Sequence, residues 1–201
     1  MKVNGLIVAA GLSSRALGYK MLYKIEEKTL IEQAVMTIQP FCTEVTVVTG
    51  HNHEQIENVL KDYKAVRLVY NKKYKDGMFT SVKLGINKMV CDRLIFMPGD
   101  YGHVKKRTVK KLLEHSGDVI IPSYDYHAGH PIIIEGSLLE EISENFEFAS
   151  LKDFVKTKEA TYVTVNDPGI LMDIDTFEDY LNVLECIKNE NWWENFKSGF
   201  S

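Results

Sequence analysis

Residues able to do chemistry together lie at three places in this chain. The first is Ala9-Ala10-Gly11-Leu12-Ser13-Ser14-Arg15, with Lys20 just beyond, directly after the apolar run Leu6-Ile7-Val8. Small residues let a backbone come close to a ligand, and N–H groups in such a turn can hold phosphate oxygens. Arg15 adds a planar fork of donors, and Lys20 a compact point charge. An apolar strand opening into a small-residue loop with two cations makes a seat for polyphosphate; an ordinary strand-to-helix turn with two solvated cations is the alternative. The second place is Asp100, which follows the apolar run ending at Met97. The third is Asp173-Ile174-Asp175, where the two carboxylates of an extended segment face the same side. Three carboxylates from two distant segments suit a hard divalent cation, and magnesium prefers oxygen ligands alongside water and phosphate. Taken singly, Asp100 could cap a strand end and Asp175 a helix, although Thr176 is available for the second role.

The elements between these places must bring them together. Strand patterns cover 5–9, 44–49, 66–70, 93–97, 118–121, 131–135 and 161–165. Helical patterns cover 30–39, 53–63, 81–89, 104–115, 137–142, 151–157 and 177–188. Apolar strands alternating with helices predict a doubly wound, three-layer α/β/α fold with a mostly parallel sheet. The run at 131–135 follows a loop instead of a long helix, which predicts an antiparallel addition to that sheet. In such sheets ligands bind beyond the carboxyl ends of the strands, so the three places can converge. Thr176 is expected to cap the last helix, with Glu178 and Asp179 in its first turn.

With 201 residues, 45% of them apolar and 26% charged, the chain has room for one well-cored domain spanning 1–201. Its net charge of −4 argues against a nucleic-acid binder that works by neutralising phosphates. Lys105, Lys106, Arg107, Lys110 and Lys111 form a basic cluster expected to be a solvated helix face. Cys42, Cys91 and Cys186 have neither zinc nor disulfide spacing, so reduced, mostly buried thiols are expected. No run approaches the ~20 apolar residues of a membrane span. The first residues lead into a strand rather than a signal peptide, so a cytoplasmic protein is expected. From about residue 189 the tail is aromatic: Trp192, Phe196 and Phe200 fall four apart, with Trp193 beside them. Packing on the chain's own surface is the expectation there, and a subunit contact the alternative.

The first loop is not G-x-G-x-x-G, which argues against a nicotinamide or flavin site, and P-loop and G-x-S-x-G motifs are missing as well. His51, His53, His127 and His130 lack a matching acidic ligand motif and read as polar loop residues.

The loop from Val8 to Arg15, together with Lys20, resembles the signature loop of nucleotidyltransferases with the glycosyltransferase-A-like fold. Closest in form are the molybdenum cofactor cytidylyltransferases and their relatives. Gly50-His51, the stretch Asn71 to Ser81, Pro98-Gly99-Asp100, Gly129-His130-Pro131 and the stretch Asp173 to Tyr180 agree with that family in order. The resemblance thus runs from residue 3 to about 188. It implies transfer of a nucleotidyl group from a nucleoside triphosphate to a phosphorylated acceptor, with pyrophosphate leaving. It implies that Ala9, Ala10, Gly11, Ser13, Ser14, Arg15 and Lys20 grip the triphosphate, while Arg15, Lys20 and Asp100 carry the catalysis. Asp100, Asp173 and Asp175 would hold Mg2+, the segment from Gly77 to Ser81 would line the nucleotide pocket, and Tyr101 and His130 would face the acceptor. The Ala-Ala-Gly form of the loop resembles the cytidylyl-transferring branch, which implies CTP as donor and molybdopterin as acceptor. Two departures stand out. Ala16-Leu17-Gly18 replaces the usual Met-Gly after the arginine, and Gly102 stands where the family commonly has a proline, altering the acceptor wall. A sugar or alditol phosphate acceptor, or a nucleotide-binding maturation factor without turnover, are the alternatives. A molybdoenzyme or a second copy of the chain are the protein partners implied.

Overall fold

In β1 (Val3–Ala9) successive side chains enter opposite cores: Val3, Ile7 and Ala9 on one face, Leu6 and Val8 on the other. A strand apolar in both directions must be covered on both sides, and this one is. The structure, a computed structural model, describes residues 1–13, 16–145 and 147–188, except the side chains of residues 186 and 188. Ser14, Arg15 and the aromatic tail lie outside the described residues.

After β1 comes a small hairpin, β2 (Lys24–Ile25) and β3 (Lys28–Thr29), and then α1 (Leu30–Ile38). The chain continues through β4 (Glu44–Thr49), α2 (His53–Leu60), β5 (Val66–Tyr70), α3 (Met78–Ile86) and β6 (Arg93–Pro98). Next are α4 (Lys106–Leu113), β7 (Val119–Tyr124), β8 (His127–Ala128) and β9 (Ile132–Glu135). It ends with α5 (Leu139–Glu144), α6 (Leu151–Val155), β10 (Ala160–Thr164) and α7 (Phe177–Lys188).

The main sheet runs β10–β7–β9–β6–β1–β4–β5, with β8 paired to β7 outside that row. The neighbours of β1 are parallel to it, whereas β9 is antiparallel to both β6 and β7, as its loop connection leads one to expect. Buried residues of α1, α2 and α4 pack on one face and those of α3, α5 and α6 on the other, giving the three layers. From β1 the chain winds outward to β4 and β5, then returns to β6 on the opposite side. The topological switch, where such sheets bind ligands, is therefore the crevice beyond β1 and β6.

The helix starts are fixed by identifiable caps. Thr29 and Glu32 form a reciprocal capping box on α1. Thr176 accepts from the Asp179 N–H while the Asp179 carboxylate accepts from the Thr176 N–H at 2.7 Å, so the expected cap of α7 is present. α4 is capped from far along the chain: buried Asp167 accepts from the Lys105 N–H at 2.9 Å and from the Thr108 hydroxyl. That helix carries its basic cluster exposed, as expected.

Some boundaries differ from the sequence reading. α3 begins at Met78, three residues before the predicted start, because Gly77 (φ 106°) turns the chain into the helix. It stops at Ile86, and Lys88 adopts a left-handed φ of 59°. The β2–β3 hairpin was not anticipated, since its turn places Glu26 at φ 56° where a glycine or asparagine would normally signal it. Burial pushes the Cys42 thiol up to about 12, as suits an inert, partly buried cysteine.

Candidate functional site

Lys20 reaches the switch crevice because its neighbour is pinned: the buried Tyr19 hydroxyl donates to the Ala9 carbonyl at 2.9 Å. Asp100 is held there by Gly99, whose N–H donates to the Val8 carbonyl at 3.0 Å, tying the end of β6 to β1. A Cβ on Gly99 would lie 3.1 Å from Met21 Sδ and 3.3 Å from Ala9 Cβ, so the close approach favours glycine. Asp175 arrives from the far end of the chain. The Ile174 N–H donates to the Asp100 carbonyl at 3.4 Å, and the Asp179 carboxylate accepts from the Asp175 N–H at 3.1 Å.

The three side chains meet. Lys20 Nζ lies 2.8 Å from Asp100 Oδ2 and 2.8 Å from Asp175 Oδ1. The Lys20 side chain is only 10% exposed and that of Asp100 16%, against 32% for Asp175. Burial pulls the Lys20 pKa down, but the two carboxylates outweigh it and hold the ammonium above its ordinary value. Asp100 Oδ1 and Ser13 Oγ are both buried with no hydrogen-bond partner among the described residues. Buried acceptors left without a donor are rare and destabilising, so these two atoms mark where a ligand or cation would be welcome.

A cleft of about 250 Å3 opens at this point. Of the residues expected to bind nucleotide, Ala10, Gly11, Ser13, Lys20 and Ser81 line it, and so do Asp100 and Asp175. Ala9 stands behind it, buried in β1, and Gly77 precedes the lining residue Met78. Asn71 fastens the stretch that follows β5, donating from Nδ2 to Thr80 Oγ1 and Ser81 Oγ at 2.9 Å each. Ser14 and Arg15 lie outside the described residues.

The expected carboxylate trio lies in one region, where partial burial and then the charges of Asp100 and Asp175 raise the Asp173 pKa, but it does not close into a ligand set. Among the described residues no three His, Cys, Asp or Glu side chains stand together as metal ligands. Asp173 is exposed, and the ammonium of Lys20 lies between the other two carboxylates. Asp100 and Asp175 could still hold a metal, since Asp100 keeps one unpartnered oxygen.

Tyr101 and His130 form a separate group beside Asp100, their ring centroids 5.0 Å apart. His130 also meets Phe96 edge-on at 5.6 Å, and its buried Nδ1 has no hydrogen-bond partner among the described residues. Burial lowers the His130 pKa to about 4, so the ring is neutral at pH 7. Burial, then the charges of Asp173, Asp100 and Asp175, drive the Tyr101 pKa upward, so its hydroxyl stays protonated. Met78 lines the cleft within the segment expected to do so, whereas sequence reasoning did not single out Tyr74, just before that segment, as a lining residue. It also missed the double pairing of Lys20, for which no local signal exists.

Comparison with known proteins places the chain in a family. The family model of the MobA-like NTP transferase domain matches residues 5–161. The molybdenum cofactor cytidylyltransferase of Escherichia coli is 23% identical over 184 residues, 91% of this chain and 96% of that protein. Among solved structures, a nucleotidyl transferase from Methanothermobacter thermautotroptrophicus superposes with a TM-score of 0.80 at 22% identity, covering 92% of this chain and 96% of that one. The manganese complex of Rv0371C from Mycobacterium tuberculosis gives 0.75 at 17% identity, covering 92% and 100%.

Proposed function

Because the chain belongs to the MobA-like NTP transferase family and is a nucleotidyltransferase, we propose that it moves CMP from CTP to a phosphorylated acceptor of the molybdopterin type, in the cytoplasm. The whole of residues 1–201 is read as one domain serving that reaction. One observation carries the reading: Lys20, Asp100 and Asp175 converge at the switch crevice beside the Ala10–Ser13 loop. The choice of CMP is supported by the Ala-Ala-Gly form of that loop and by a cytidylyltransferase relative matched over nearly its full length.

In this reading an acceptor phosphate oxygen attacks the α-phosphorus, a new P–O bond forms, and the bond to the β-phosphate bridging oxygen breaks. Pyrophosphate leaves with the electron pair. The acceptor phosphate is already ionised, so no general base is required. Charge repulsion and alignment are then the main obstacles, and positioning with electrostatic stabilisation the main means of overcoming them. Lys20 and Arg15 supply cations, and the N–H groups of Ala10 to Ser13 contact phosphate oxygens. Asp100, with its unpartnered Oδ1, and Asp175 would hold a divalent ion, magnesium in this reading, with Asp173 as an outer neighbour. When bound, that ion would neutralise phosphate charge and orient the α-phosphate. Tyr101 and neutral His130 form the acceptor side, where Gly102 shapes the wall.

Pyrophosphate release with CTP and GTP, assayed against molybdopterin and against sugar and alditol phosphates, tests this directly. CTP with molybdopterin should be the fastest pair. A sugar or alditol phosphate outrunning molybdopterin would replace the acceptor, and no release from any pair would refute the transfer. A molybdoenzyme and a second copy of the chain are the protein partners this reading carries, and co-purification and sedimentation test them.

A further inference from the structure

Tyr74, half-buried, packs against the loop that follows β4. It lines the cleft but is unused in the mechanism above. Its Cβ and Cγ lie 2.5 and 2.6 Å from where a Cβ of Gly50 would be, and the Ala10 carbonyl oxygen lies 2.8 Å from that same point. Only a glycine at position 50 leaves room for Tyr74 on one side and for the Ala10 carbonyl of the phosphate loop on the other. The His51 ring stands beside it at 6.4 Å, and His51 in turn meets Tyr19 edge-on at 6.0 Å. Tyr19 is itself tied to the Ala9 carbonyl. Lys75 Nζ lies 5.9 Å from the Tyr74 ring centroid, and the Tyr74 N–H donates to the Asn71 carbonyl. The residue is therefore braced on its Gly50 side.

Its position follows from strand order. Asp100 follows β6, the phosphate loop follows β1, and Gly50 follows β4, so Tyr74 lies two strand spacings, about 10 Å, from the Asp100 side. A nucleotide with its phosphates at Lys20 would extend its base toward that ring. We propose that Tyr74 sets the length of the cleft and selects a one-ring pyrimidine base over a two-ring purine. The inference rests on the nucleoside triphosphate reading given above. A braced wall discriminates by collision, which a soft pocket cannot do.

Calorimetric titration of CTP, UTP, GTP and ATP with magnesium tests it on the wild-type protein, Tyr74→Ala and Tyr74→Phe. The wild type should bind pyrimidine nucleotides roughly tenfold tighter or more. Tyr74→Ala should shrink that ratio roughly tenfold, mainly through tighter purine binding, whereas Tyr74→Phe, which keeps the ring, should preserve it. Tyr74→Leu replaces the alanine variant if the latter does not fold. Equal binding of purines and pyrimidines by the wild type, or a ratio unchanged in the truncated variant, would overturn the assignment and leave the nucleotide reading standing. Wild-type protein that binds none of the four would strike that reading itself.

Discussion

The Lys20 ammonium lies 2.8 Å from Asp100 Oδ2, although eighty positions separate the two residues. Asp175, another 75 positions further on, accepts from the same nitrogen. An ammonium placed between two carboxylates takes the position that a divalent ion bound by both would occupy. Replacing Lys20 by Met should therefore raise the affinity of the nucleotide-free protein for manganese severalfold, read by electron paramagnetic resonance titration. The same variant should lose roughly 2–3 kcal/mol of transition-state stabilisation, read as kcat/KM. Unchanged manganese affinity would mean that the ammonium and the metal do not share a seat.

Asp100→Asn keeps the side-chain shape and removes the charge. Turnover should fall by about 10²–10³-fold, as expected when a group that stabilises transition-state charge is removed. The melting temperature of the variant establishes that it is folded. Near-normal turnover in a folded protein would take Asp100 out of the machinery.

His130 links stability to acidity. Its folded pKa of about 4 lies below the 6.5 of an unperturbed histidine, so between these values the unfolded chain binds a proton that the folded chain does not. Stability contributed by the neutral ring is thus complete above pH 6.5 and declines as the pH falls toward 4, by about 1.4 kcal/mol per pH unit. His130→Gln should flatten that part of the profile, measured by urea unfolding at pH 7, 6 and 5. A slope identical to the wild type would place the acid-sensitive group elsewhere.

Asp167 joins three donors in the core: the Lys105 N–H, the Thr108 hydroxyl and the Gly169 N–H. Asp167→Ala leaves the start of α4 uncapped and three groups unpaired, and should destabilise by roughly 2–4 kcal/mol. Chemical denaturation measures this. A loss under 1 kcal/mol would mean that water replaces the carboxylate.

The amino-acid order alone determined which parts could act and which faces they occupy. Strand propensity is local, so Glu44–Thr49 and Val66–Tyr70 appear where the apolar runs put them. The small-residue loop, Lys20 and Asp100 could be recognised for the same reason, being chemistry written into short stretches after apolar runs. Tertiary structure decided how they combine. Lys20 meets Asp100 and Asp175 only because the chain crosses back from β5 to β6 and later brings 173–175 over the crevice. Tyr74 braces on Gly50 because β4 and β5 are neighbours, and no spacing along the chain encodes that contact. The exposure of Asp173 likewise follows from packing. Contacts between distant segments depend on strand order and crossover, which are settled by the joint burial of many side chains and not by any one stretch.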